Sequence, residues 1–115
     1  MKLYILILIN VLLLSIGQVL YKIGLAQIGD VTLPAIIASL FSPYILGGLL
    51  IYGIATIQWF WILLKGPFSI VYPLQSLAYV LGIVAALIVF KEHIPVTRWI
   101  GAAFIIIGAF FIAQK

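Results

Sequence analysis

The chain has 115 residues, 67% hydrophobic and 7% charged, with six Lys and Arg against two acidic residues for a net charge of +4. A soluble domain carries about 25% charged and about 45–50% apolar residues, so this composition excludes a soluble enzyme, a nucleic-acid binder and a disordered segment. A membrane-spanning helix needs about 20 apolar residues. The expected fold is therefore all-α and integral to the membrane, four spans with almost no mass outside the bilayer. The absence of cysteine excludes disulfides, thiol catalysis and cysteine-ligated metals. His93 has only Asp30 and Glu92 as carboxylate company, too few ligands for a zinc site, and no cofactor is expected. The basic residues stand singly, which suits contact with anionic headgroups.

The first apolar run, from Leu3 to Tyr21, is interrupted by Asn10, Ser15, Gly17 and Gln18. It is too long for the apolar core of a signal peptide, so it reads as a span over about 3–22, its helix continuing past Lys22 towards Ile28. Gly29 to Pro34 marks a break. Ala35 to Phe41 is too short to cross a bilayer and either lies at the interface or begins the next helix. Ser42-Pro43 opens the second span, over about 44–64, with proline in the first turn where its missing N–H is no loss. Lys65-Gly66-Pro67 forces an antiparallel hairpin into the third span, over about 68–90. Pro73 in its first two turns frees a backbone carbonyl and can bend the helix where neighbours satisfy the freed group. Lys91 to Arg98 is the most charged segment. Thr97 is the expected N-cap of a fourth span over about 98–113.

Lys2, Lys65 and Lys115 fall on one side of such a bundle, and Lys22, Lys91 and Arg98 on the other. Orientation follows Lys and Arg bias, and three against three gives none. An even count permits insertion both ways round and hence an antiparallel homodimer. The alternative is one orientation fixed by a partner or by the first helix.

The neutral polar residues are grouped. At about 100° per residue, Asn10, Gly17, Gln18 and Tyr21 share a sector of the first helix, with Lys22 at its edge. Tyr52, Thr56 and Trp59 share one on the second helix, and Tyr72, Gln75, Ser76 and Tyr79 on the third. Polar stripes in membrane helices turn away from lipid. They serve either as helix-to-helix hydrogen bonds, worth about 0.6 kcal/mol each, or together as the lining of a groove; the three stripes jointly favour the groove. Gln58 lies off its stripe and reads as a packing or partner contact. Gly101 and Gly108 share a face of the last helix beside Ala102 and Ala109, a candidate dimer seam, with packing inside one subunit the alternative. Gly47, Gly48 and Gly53 mark the second helix as flexible or closely packed. Lys22 either snorkels to the interface or meets a phosphate. Glu92 is either a solvated loop carboxylate or a contact at the mouth of the groove. No nucleophile, acid–base pair or phosphate-cradling loop is present, so the chain is not expected to be an enzyme.

Three blocks carry a family resemblance: Gly17-Gln18-Val19-Leu20-Tyr21-Lys22, Pro67 to Leu77, and Glu92 with Pro95 and Arg98 to Gly108. Together they resemble the small four-helix members of the drug/metabolite transporter superfamily, EamA-like and small-multidrug-resistance-like. Within it, the chain is most similar to the small subunits of the flippase that moves aminoarabinose-phosphoundecaprenol across the bacterial inner membrane. The resemblance implies a dimer of four-helix subunits, a homodimer or a heterodimer with a similar chain. It also implies alternating access without ATP, a path between the first three spans and a dimer contact on the fourth. Carried over by position, it marks Gln18, Lys22, Tyr72, Pro73, Ser76, Glu92 and Arg98. Proton-coupled small multidrug exporters, which the chain also resembles, place an essential glutamate eight residues before the first-helix lysine, and here that position is Leu14.

The leading expectation is a flippase, or flippase subunit, for a polyprenyl-phosphate-linked sugar or similar anionic lipid. Its substrate-binding candidates are Asn10, Gln18, Tyr21, Lys22, Tyr52, Trp59, Tyr72, Gln75, Ser76, Tyr79, Glu92 and Arg98. An ion-coupled exporter of small metabolites or drugs, with Glu92 as coupling group, is the alternative. An accessory subunit of a membrane glycosyltransferase or larger transporter is the third.

Overall fold

The computed structural model describes residues 2–27 and 32–114. Ile28 to Val31, where the first helix is expected to give way to the break, include Asp30 and lie outside the described residues, as do Met1 and Lys115. Among the described residues the regular elements are six helices: α1 (Lys2–Ala26), α2 (Leu33–Ser39), α3 (Pro43–Lys65), α4 (Phe68–Leu74), α5 (Leu77–Ile88) and α6 (Val96–Ile112). Three stretches are long and apolar enough to cross a membrane: α1, α3 and α4 with α5 together; α6, at 17 residues, is a shorter apolar helix. The segment expected to be the fourth span is this shorter apolar helix.

The helix ends follow local chemistry. Thr32 caps α2, its hydroxyl accepting from the Ala35 N–H at 3.3 Å, and Ser42-Pro43 starts α3 as expected. Two expectations are corrected. The N-cap of α6 is Pro95, not Thr97, because proline's extended backbone (φ −64°, ψ 155°) already starts the helix at Val96. The third span is two helices rather than one bent helix. Pro73 has no N–H for the Ser69 carbonyl, and the chain crosses Gln75 and Ser76 on tight i→i−3 bonds before α5 resumes.

The largest cluster of buried side chains lies at one end. Ile7 and Val11 of α1, Ile62 of α3, Val71 and Leu74 of α4 and Ala109 of α6 form the core. The Tyr4 hydroxyl closes that end by donating to the Ala113 carbonyl at 2.9 Å. The outer surface is aliphatic and aromatic, with Leu64 at 82% exposure and Leu50, Phe104 and Phe111 all largely bare. Water would penalise each such side chain by about 1.5–3 kcal/mol; lipid does not.

α1 and α3 run antiparallel and make the most extensive helix pair in the molecule. Their crossing is reciprocal. A Cβ on Gly17 would stand 2.5 Å from the Tyr52 ring, and one on Gly48 would stand 2.8 Å from the Tyr21 ring. Each helix thus presents Gly-x-x-x-Tyr, the tyrosine of one filling the notch of the other, and the two rings meet at 5.2 Å. Gly24 receives Ile45 in the same way one step along.

Beyond Ile88 the chain reverses through Lys91, whose φ of 53° is left-handed. The Glu92 N–H then bonds back to the Ala86 carbonyl at 3.0 Å. Left-handed backbone costs a side-chain-bearing residue about 1–2 kcal/mol. Lys91→Gly is accordingly expected to raise stability by about 1 kcal/mol, read as a higher unfolding midpoint in mild detergent, and Lys91→Val to lower it.

Candidate functional site

The other end of the bundle holds a cavity of about 1040 Å³ between α1, α4, α5 and the start of α6, with Tyr52 of α3 at its edge. It starts beside the helix break and reaches the side of the molecule that carries Lys22, Lys91 and Arg98. Gln18 and Lys22 of α1, Tyr72 of α4, Gln75 and Ser76 of the break, Tyr79 of α5, Glu92 and Arg98 all line it together with Tyr52. These sequence-derived candidates converge on one space.

The polar lining is neutral along most of its length. Gln18 donates its side-chain amide to the Tyr52 hydroxyl, joining α1 to α3 at the cavity edge. Pro73 lies in the wall where the third span breaks. Charge is confined to the far end, where Lys22, Glu92 and Arg98 line the cavity and the Lys22 ammonium sits 5.9 Å from the Phe90 ring centre. Ile94, nearly buried, anchors the loop that carries Glu92. Leu14 is part of the wall, so the cavity is alkyl at that position.

Three candidates are placed elsewhere. Asn10 is fully buried and spends its side chain on structure. Its Nδ2 donates to the Ala55 carbonyl at 2.8 Å and to Gln58 Oε1 at 3.3 Å, while its Oδ1 accepts from Gln75 Nε2 at 3.1 Å. Trp59 packs against the core with its ring 6.5 Å from that of Tyr72. Tyr21 turns to the Gly48 notch instead of the cavity. Gln58, read as a packing or partner contact, packs within the subunit and donates to the Leu6 carbonyl at 3.3 Å. On α6, Ala102 and Ala109 are buried, whereas added Cβ atoms at Gly101 and Gly108 would meet nothing within 4 Å. The two glycines therefore face outward from the subunit.

Sequence reasoning overlooked Gly24 and the pairing of Gly17 with Gly48. The signal was available, since Gly-x-x-x-Tyr occurs at 17–21 and again at 48–52.

The chain is 32% identical over 114 residues to a Serratia proteamaculans protein named "probable 4-amino-4-deoxy-L-arabinose-phosphoundecaprenol flippase subunit ArnF", covering 92% of this chain and 88% of that one. A Proteus mirabilis protein of the same name is 30% identical over 118 residues, covering 92% and 87%. An Aeromonas salmonicida protein named as subunit ArnE is 36% identical over 70 residues, 61% of each chain. No family model matches the chain. No solved structure matches it. The described helices make the chain a multi-pass membrane protein, and its similarity to these relatives extends along most of both sequences: the chain belongs to the family of small 4-amino-4-deoxy-L-arabinose-phosphoundecaprenol flippase subunits.

Proposed function

We propose that the chain is a four-span subunit of a flippase that carries a polyprenyl-phosphate-linked sugar across the bacterial inner membrane. One observation carries this reading. The cavity presents neutral hydrogen-bonding groups (Gln18, Tyr52, Gln75, Ser76 and Tyr79) that lead to two cations, Lys22 and Arg98, at one membrane face. Sugar hydroxyls match the former, a phosphate matches the latter, and the polyprenyl chain stays in lipid outside the cavity.

The working unit is a dimer with α6 at its seam, supported by the outward-facing Gly101 and Gly108, since small residues let membrane helices approach closely. Relatives bear both the ArnE and the ArnF subunit names, which favours a heterodimer over an antiparallel homodimer.

Flux of lipid-linked sugar in proteoliposomes, with any accompanying subunit retained, tests the proposal. Charge-assisted hydrogen bonds are worth about 1.5–3 kcal/mol, so Lys22→Ala is expected to reduce flux about tenfold or more. Equal flux would remove the phosphate role from Lys22, and no flux from the wild type would overturn the reading. Export of a small solute coupled to protons is the second reading, motivated by Glu92 in the cavity wall. Solute-dependent proton movement abolished by Glu92→Gln would favour it.

A further inference from the structure

We propose that Glu92 determines specificity by reading a protonated amine on the sugar, so that the charged end of the cavity fits a headgroup bearing both a phosphate and an amine. This rests on the flippase reading above and adds a residue-level selection to it. The chain has only two acidic residues, and one of them lines the cavity with Lys22 and Arg98. A site for a phosphate attached to a neutral sugar gains nothing from a carboxylate there, since like charges repel. A site for a phosphate with a cation a few ångströms away gains at both ends.

The placement of Glu92 is built into the backbone. Lys91 takes a left-handed conformation, the Glu92 N–H is tied to the Ala86 carbonyl, and Ile94, two residues on, is buried. A carboxylate on a free loop would need none of these. Lys91 itself, though basic and adjacent, does not line the cavity. The site therefore holds two cations and one anion, groups of both signs for a phosphate carrying an amine.

The experiment uses two probes, polyprenyl-phosphate-linked 4-amino-4-deoxyarabinose and the same lipid with the amine replaced by hydroxyl. Retention of each by the purified protein, with any accompanying subunit, is measured by native mass spectrometry, and flux of each in proteoliposomes. The wild type is expected to prefer the amine about tenfold or more, the ratio a charge-assisted hydrogen bond supports. Glu92→Gln is expected to bring that ratio near one by weakening the amine lipid only, and Glu92→Asp to keep part of it. Equal handling of both lipids by the wild type would overturn the proposal and leave the flippase reading intact. Parallel loss of both lipids in Glu92→Gln would also overturn it, since Glu92 would then only neutralise Lys22 or Arg98 or hold the loop. If the wild type neither retains nor moves either lipid, the flippase reading fails and this inference with it.

Discussion

Gly48→Val is expected to lower the stability of the folded chain by about 3 kcal/mol, the upper part of the range for overpacking a tight interior. A Cβ at this position already meets the Tyr21 ring at 2.8 Å and the Gly17 carbonyl oxygen at 3.2 Å. The carbonyl is backbone and cannot yield, and the ring has little room because it lies against Tyr52. Helix propensity runs the other way, since valine is a better helix former than glycine by a few tenths of a kcal/mol. Contact at the crossing outweighs it. The control is Gly53→Val on the same helix, where a Cβ would meet nothing within 4 Å and stability should hold or rise. Unfolding of both variants in mild detergent by circular dichroism gives the comparison. Equal losses would mean that α1 and α3 do not depend on the notch. Because Gln18 bonds Tyr52 at the cavity edge, Gly48→Val should also weaken lipid retention, whereas Gly53→Val should not.

The helices were legible because the apolar runs are long and their ends carry Pro and Gly. Ser42-Pro43 and Lys65-Gly66-Pro67 mark the ends of α3 within a residue or two. The division of the third span was only half legible. Pro73 announces a disturbance, but the tightening to i→i−3 bonds at Gln75 and Ser76 is joined by a hydrogen bond from the Gln75 side chain to Asn10, which lies on another helix. Long-range partners leave no mark in local periodicity.

The site was legible in angle but not in depth. A helical wheel groups Asn10 with Gln18 and Tyr52 with Trp59, and each pair does share a broad sector. Two turns of helix nevertheless separate Asn10 from Gln18, about 12 Å along the axis. In this bundle that distance separates the packed end from the open one, so Asn10 and Trp59 fall in the core while Gln18 and Tyr52 reach the cavity. Tyr21 was misplaced for a different reason. With Gly17 it faces α3, where its ring fills the opening left by Gly48, and which neighbour a helix face meets is not written in that helix's own sequence.

Asn10→Asp is expected to destabilise the chain by about 3 kcal/mol, more than Asn10→Leu at about 2 kcal/mol, although aspartate is nearly isosteric and leucine is not. Asn10 uses both amide hydrogens and its oxygen at once. Leucine removes these three bonds, each worth about 0.6 kcal/mol between membrane helices, and leaves the Gln58 amide oxygen without its partner. Ala55 keeps its own helical bond, and Gln75 lies at the cavity wall, so neither adds much. Aspartate does worse in either state. As an acid it has one hydrogen for two acceptors; as an anion it has none, and a charge at the centre of a membrane helix costs about 2.5–3.5 kcal/mol on insertion scales. The order of the two variants in detergent unfolding is the decisive reading. Leucine as the more damaging substitution would show that shape, not hydrogen bonding, governs the site. Leucine releases Gln75 while aspartate keeps an oxygen that accepts from it, so Asn10→Leu is the variant expected to alter retention of the lipid-linked sugar even where the fold survives. That couples the buried amide cluster to the cavity through the one side chain they share.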